Sequence, residues 1–223
     1  MGWLRPDLAP LLPGEPLSIA GLFGFVETLR QTSAADGWRN ECFTLCNEVG
    51  EPIVDDQHQA VGLERSLFRP LGLFYTTVQL NLVTEQGRVW IGQRALHKAV
   101  DPGLWDAAVA GGLTHGEQPL QALRRECWEE AGLAEALLAD LRVLGSVLVQ
   151  RALGTDGCQG LQREQVMSYS LRAPSDFMPT NQDGEVQAFA CVTMNEVWRL
   201  WQQGQFNHEA AVGCLDCLTP QPD

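Results

Sequence analysis

Four glutamates, an arginine and several glycines crowd the stretch from Gly111 to Leu133, GGLTHGEQPLQALRRECWEEAGL. Glu117, Glu126, Glu129 and Glu130 fall within fourteen residues, with Arg125 among them. So many anions make a poor core and a good site for hard divalent cations, because each carboxylate is costly to ionise beside the others unless a cation is present. Oxygen-only donors at this density select Mg2+, with Mn2+ as the alternative, over zinc. On an α-helix, residues three and four apart share a face, so Glu126, Glu129 and Glu130 point to one side. Arg125, four residues before Glu129, can hold carboxylates in place without binding metal itself. Leu120, Leu123, Cys127 and Ala131 form a neighbouring apolar stripe suited to burial against a sheet. Taken alone, RRECWEE better fits an exposed acidic helix face with i,i+4 ion pairs such as Arg125–Glu129. The glycine turn and Glu117 ahead of it favour a site.

Those side chains need a helix with defined ends. Pro119 suits its first turn and Gly132 its stop, which predicts a helix from about Pro119 to Ala131. Ahead of it, Leu73–Val83 and Arg88–Gln93 are β-rich runs around a Glu-Gln-Gly turn, the pattern of a hairpin. Leu141–Leu153, Val166–Leu171 and Val186–Thr193 read as strands, and Asn195–Gln203 and His208–Leu218 as closing helices. Before residue 71 the texture differs. Leu17–Gln31 has helical spacing, Trp38–Val54 reads as strand, turn and strand with the turn near Asn47–Pro52, and Gln57–Phe68 as a second short helix. The division predicted is a small N-terminal α+β domain, residues 1–70, followed by a second domain, residues 71–223.

The chain has 223 residues, 45% of them hydrophobic, with seven Trp and eight Phe, enough for a buried core. A formal net charge of −13 argues against a nucleic-acid partner, since phosphate backbones repel an acidic field. A small anionic substrate stays compatible, because bound metal inverts the local sign. Seven cysteines, an odd number, do not form a secreted disulfide framework, and the lone Cys214-x-x-Cys217 pair lacks the partner ligands of a zinc site. No signal-like N-terminus and no apolar run of roughly 20 residues is present. No membrane association is expected, and the cytoplasm is the expected compartment.

The spacing Gly111, Glu117, Arg125, Glu126, Cys127, Glu129, Glu130, Gly132 and Leu133 resembles the Nudix box, G-x5-E-x7-R-E-U-x-E-E-x-G-U, where U is a bulky aliphatic residue. Every charged position matches, and Cys127 is the one departure, a small buried hydrophobe at the first U. The resemblance implies a Nudix α/β/α sandwich with a mixed sheet, an α+β fold, and metal-assisted cleavage of a diphosphate. It implies Glu126 and Glu130 as direct Mg2+ ligands, Glu129 direct or through water, and the Gly111 carbonyl nearby. Arg125 would orient Glu126 and Glu129, and Glu117 would support the loop. The family's general base varies in position, and Glu164 and Glu185 are the candidates here. Arg94 and Lys98 could meet phosphate oxygens.

A softer likeness concerns the substrate. Trp38–Glu41 (WRNE), Glu64-Arg65, Lys98–Gly112 and Asp183–Val186 (DGEV) resemble a Nudix subfamily with a small N-terminal domain, related to the Nudix part of thiamine pyrophosphokinase fusions. It implies hydrolysis of thiamine diphosphate or its oxidised analogues to the monophosphate plus phosphate. Phe74–Leu82, FYTTVQLNL, departs from that subfamily's usual GVHLNGY-like strand. Trp38, Phe74, Tyr75 and Trp105 are the rings available to stack on such a substrate. A nucleoside-diphosphate-linked substrate is the competing reading, and a non-catalytic ligand-binding Nudix domain the second. An isomerase resembling isopentenyl diphosphate isomerase would need a histidine cluster, whereas His58, His97, His115 and His208 are widely separated. Many Nudix enzymes pair, and a homodimer is left open.

Overall fold

The computed structural model describes residues 4–12, 18–32, 37–154, 160–174 and 176–216. Cys158 and Cys217 lie outside them, so the Cys214-x-x-Cys217 reading does too. The chain divides into two compact units, one comprising Met1–Thr76, Leu113–Gly116 and Leu148–Gln165, the other Thr77–Gly112, Glu117–Val147 and Val166–Asp223.

In the first unit, α1 (Ile19–Gln31) starts at Ser18, whose side chain accepts a hydrogen bond from the Gly21 amide at 3.1 Å. Leu22, Phe25 and Leu29, at helical spacing, are its buried face. They join Phe43, Leu63, Leu67, Phe68 and Tyr75 in one core. Tyr75 lies inside it, stacked on Phe43 with ring centres 5.5 Å apart and meeting Phe68 edge-on at 5.8 Å. Strand β1 (Cys42–Thr44) pairs antiparallel with β2 (Gly62–Glu64), matching Phe43 to Leu63 and Thr44 to Gly62.

Two expectations fail here. The partner of β1 is not the segment after the Asn47 turn, which contributes only isolated bridges such as Cys46–Pro52. Residues 57–68 are not a helix either. Gly62–Glu64 is strand and only Arg65–Leu67 is a short 3-10 turn. Burial of Leu63 on the core face beside Phe43 outweighs the local helical pattern.

The softer-likeness motifs at Trp38–Glu41 and Glu64-Arg65 meet in this unit. The Glu64 carboxylate accepts the Arg39 and Asn40 amides at 3.0 and 2.9 Å. Arg65 donates its own amide to the Glu41 carbonyl at 2.8 Å and pairs with the Glu41 carboxylate at 2.5 Å.

A seven-stranded sheet carries the rest, in the order β5-β4-β3-β8-β7, with β6 on β3 and β9 on β4. The strands are β3 (Phe74–Val83), β4 (Val89–Arg94), β5 (Trp105–Ala107), β6 (Val109–Gly112), β7 (Arg142–Leu153), β8 (Gly160–Arg172) and β9 (Val186–Val192). The expected β3–β4 hairpin forms, with Leu82 opposite Trp90. The short strands β5 and β6 were not expected, and β8 begins earlier than Val166. The helices α2 (Pro119–Ala131), α3 (Met194–Gln202) and α4 (His208–Asp216) match their predicted places. Val89, Ile91, Ala107, Val197, Phe206 and Ala210 form a buried cluster of the second unit.

Helix α2 begins with a reciprocal cap between Gln118 and Gln121 and ends at Gly132, whose φ of 65° is left-handed and suits glycine. Leu123, Cys127 and Ala131 are buried as the stripe predicts, whereas Leu120 is 46% exposed and Ala122 takes its place. Leu120 shares the angular sector of Cys127 and Ala131, so what sets it apart is its place in the first turn of the helix.

Candidate functional site

One guanidinium organises the site. Arg125 Nε and Nη2 donate to the two oxygens of Glu117 at 3.0 and 2.9 Å. Nη1 donates to Glu126 at 2.6 Å and Glu129 at 3.2 Å, and Nη2 also reaches the Gly112 carbonyl at 3.0 Å. These five bonds use a donor set that lysine, with three rotating N–H groups, does not offer in fixed geometry. Burial alone would lower the pKa of Arg125, but Glu117 and Glu126 outweigh it and raise it, so the charge is permanent.

Glu126 and Glu130 turn inward and are buried. Strand β6 places Gly111 opposite Val78 of β3, directly against the Glu126 carboxylate. A Cβ at position 111 would overlap that carboxylate, so only glycine leaves the space. The next residue back, Ala110, donates its amide to Glu130 at 2.7 Å. Burial pushes the Glu126 carboxyl up to about 7 despite Arg125, with Glu129 and Glu185 adding to the rise. Glu130 is raised well above the ordinary carboxylate range, first by burial and then by Glu126, while the Ala110 amide and Lys98 oppose. Cys127, between them, is an inert packed thiol pushed up to about 12 by burial and then by Glu130 and Glu126.

The flanking segments complete the surroundings. Arg94, in β4, pairs with Asp106 of β5 at 2.9 Å and donates to the Val100 carbonyl at 3.2 and 3.0 Å. Lys98 pairs with Glu185, which stands at the end of a turn where the Asp183 carboxylate accepts the Glu185 amide at 2.8 Å. The run from Lys98 and the DGEV turn, separate in sequence, thus meet at a single ion pair.

Gly111, Glu117, Arg125, Glu126, Glu129 and Glu130 therefore come together, with Arg94, Lys98 and Glu185 beside them, whereas Gly132 closes the far end of α2 near Thr180 and Gln182. Trp105, partly buried, packs on the Val197–Phe206 cluster. Trp38, Phe74 and Glu164 belong to the other unit. Trp38 lies under the Arg30 guanidinium at 4.5 Å, and Phe74 is buried. Glu164 is buried, accepts Gln162 Nε2 at 2.7 Å and bonds the Tyr75 hydroxyl. Sequence reasoning missed Asp106. Its signal was a lone carboxylate in the otherwise apolar WDAAVA run, which a buried strand keeps only with a partner.

Among the described residues, the acids Asp106, Glu117, Glu126, Glu129, Glu130 and Glu185 stand with Arg94, Lys98 and Arg125. All the donors are hard oxygens. Among the described residues no three acidic, histidine or cysteine side chains are already gathered round one point. Hard-oxygen donors of this kind suit Mg2+ or Mn2+. The acid excess and the Gly111 cradle fit such an ion.

The family model described as the NUDIX domain matches residues 75–211. Nudix hydrolase 24, chloroplastic, of Arabidopsis thaliana is 31% identical over 184 residues, covering 81% of this chain and 48% of that protein. Nudix hydrolase 20, chloroplastic, of the same plant is 33% identical over 176 residues, covering 77% and 44%. The chain thus spans about half the length of these curated relatives. The crystal structure of DR0079 from Deinococcus radiodurans aligns with a TM-score of 0.59 at 22% identity, covering 80% of this chain and 100% of that one. This likeness shows the fold, the mixed α+β architecture expected from the sequence. No helix among the described residues is long and apolar enough to cross a membrane.

Proposed function

The chain belongs to the Nudix family, and on that premise we propose that it is a divalent-metal-dependent hydrolase cleaving the diphosphate of a small organic molecule. The observation that carries the reading is the pair of buried carboxylates, Glu126 and Glu130, against a glycine-bared strand with too few cations around them. Glu126, Glu129 and Glu130 with the Gly111 carbonyl would hold Mg2+ or Mn2+, which supplies charge neutralisation on phosphate oxygens and a more acidic water. Arg125 keeps Glu117, Glu126 and Glu129 in register, and the Ala110 amide holds Glu130. Arg94 and Lys98 sit where phosphate oxygens can take over part of their hydrogen bonding from Asp106 and Glu185. Glu185 is the preferred general base, because its charge is felt at Glu126. Glu164, bonded to Gln162 and Tyr75, serves its own unit in this reading.

For the substrate we propose thiamine diphosphate or its oxidised analogues, converted to the monophosphate plus phosphate. The support is the likeness of Trp38–Glu41, Glu64-Arg65, Lys98–Gly112 and Asp183–Val186 to that subfamily, with residues 1–70 as an accessory domain to a hydrolase domain of 71–223. Phosphate release from thiamine diphosphate, its oxidised forms, ADP-ribose and nucleoside triphosphates, compared as kcat/KM with Mg2+, tests the assignment. A thiamine compound should lead the panel. A nucleotide ahead by about a hundredfold would replace it with the nucleoside-diphosphate-linked reading. Failure of every compound, with no metal binding, would leave a ligand-binding domain.

A further inference from the structure

The loop that joins Gly112 to Glu117 has divided loyalties. Its ends belong to the second unit, where Arg125 grips the Gly112 carbonyl and both oxygens of Glu117. Its middle, Leu113–Gly116, belongs to the first. There the Leu113 amide donates to the Thr76 carbonyl at 3.1 Å and the His115 amide to the Cys42 carbonyl at 2.7 Å. Thr114 bridges Phe43. The Gly116 amide donates to the Thr44 hydroxyl at 3.3 Å, and the same hydroxyl meets His115 Nδ1 at 3.3 Å. Opposite Thr44 in the β1–β2 ladder stands Gly62, where a Cβ would come within 2.7 Å of the His115 ring. Every residue of β1 thus takes a contact from the loop, and Thr44 takes two.

Gly116 is covalently next to Glu117, and Glu117 takes two of the five Arg125 hydrogen bonds. A shift of Gly116 is passed through Glu117 to the guanidinium that holds Glu126 and Glu129. Residues behind metal ligands are known to change affinity when they let those ligands drift. We propose that β1 of the N-terminal unit is a positioning element for the metal-binding loop, with the Thr44 hydroxyl setting metal affinity through Gly116 without touching the metal. The N-terminal unit is then part of the catalytic apparatus rather than an appendage. The inference rests on the hydrolase reading above.

Mn2+ binding to the full chain, followed by electron paramagnetic resonance without substrate, tests it beside thermal melting. Thr44→Val removes the hydroxyl at nearly constant volume and should weaken Mn2+ about tenfold, while Thr44→Ser should restore it. Gly62→Ala, which pushes on His115 from the other side, should weaken Mn2+ likewise and serves if Thr44→Val folds poorly. A purely structural Thr44 would lower the melting temperature and leave the affinity of the folded protein unchanged. Wild-type affinity in both Thr44→Val and Gly62→Ala overturns the inference alone. A wild-type chain that binds no Mn2+ overturns the hydrolase reading and this inference together.

Discussion

Each unit of the molecule holds a cluster built from glutamate and arginine, and the two are used in opposite ways. In the first, Glu41 and Glu64 are matched by Arg65 and by the Arg39 and Asn40 amides. Each carboxylate there is answered by a local donor, and the outcome is a brace between β1, β2 and the chain entering them. In the second, Glu117, Glu126 and Glu129 share Arg125, Glu130 accepts only the Ala110 amide among the described residues, and Glu126 and Glu130 are buried. Residue types alone do not separate a brace from a site. The ratio of buried anions to donors does, because a buried carboxylate short of partners is stable only when neutralised by a proton or a cation.

The comparison breaks most directly at Glu130. Glu130→Gln keeps the volume and removes the charge, so turnover should fall on the order of 10³-fold while the melting temperature of the metal-free protein holds or rises. Wild-type turnover in steady-state kinetics would mean the second cluster is a brace too. Next come the two candidate bases. Glu185→Gln should lower kcat on the order of 10²-fold, and Glu164→Gln should act mainly on stability. The reverse pattern would move the base to the other unit, and no effect from either would remove both.

Glu64→Gln sharpens the other side of the comparison. It should cost roughly 1–3 kcal/mol of stability in denaturant unfolding, as loss of a charge-assisted hydrogen-bond acceptor does, with turnover close to wild type. The smallest effect is a pH dependence. Glu126 is raised by burial from 4.5 to about 7, so between those values the folded chain holds a proton that the unfolded chain has lost. The stabilising contribution is full below about pH 4.5 and is lost as pH rises through about 7, so metal-free protein should melt lower at about pH 8 than at about pH 5.5. Added Mg2+ should raise the melting temperature more at the higher pH, where it no longer competes with that proton. Differential scanning fluorimetry with and without chelator reads both, and a metal shift independent of pH would remove Glu126 from the metal site.

Helix α2 was legible because every cue for it is local. Pro119 fixes the start, Gly132 supplies the left-handed stop, and the 3.6-residue period puts Leu123, Cys127 and Ala131 inside. The hairpin of β3 and β4 was legible for the same reason. The segment holding β2 was misread because its fate depends on Phe43, about twenty residues before Leu63. The short β5 and β6 were missed because three- and four-residue strands carry no periodicity of their own and exist only by pairing with β3 and β4.

By itself the sequence determined the charged constellation, the helix that displays it and the kind of ion that suits it. All three follow from residue types at fixed spacings along one chain. Tertiary structure alone decided that Glu126 lies on the bare backbone of Gly111, that Lys98 meets Glu185, that Asp106 backs Arg94, and that the loop before Glu117 is held by β1. Each of these joins segments remote in sequence, and such pairings are set by how strands register and what they bury, which no local spacing encodes.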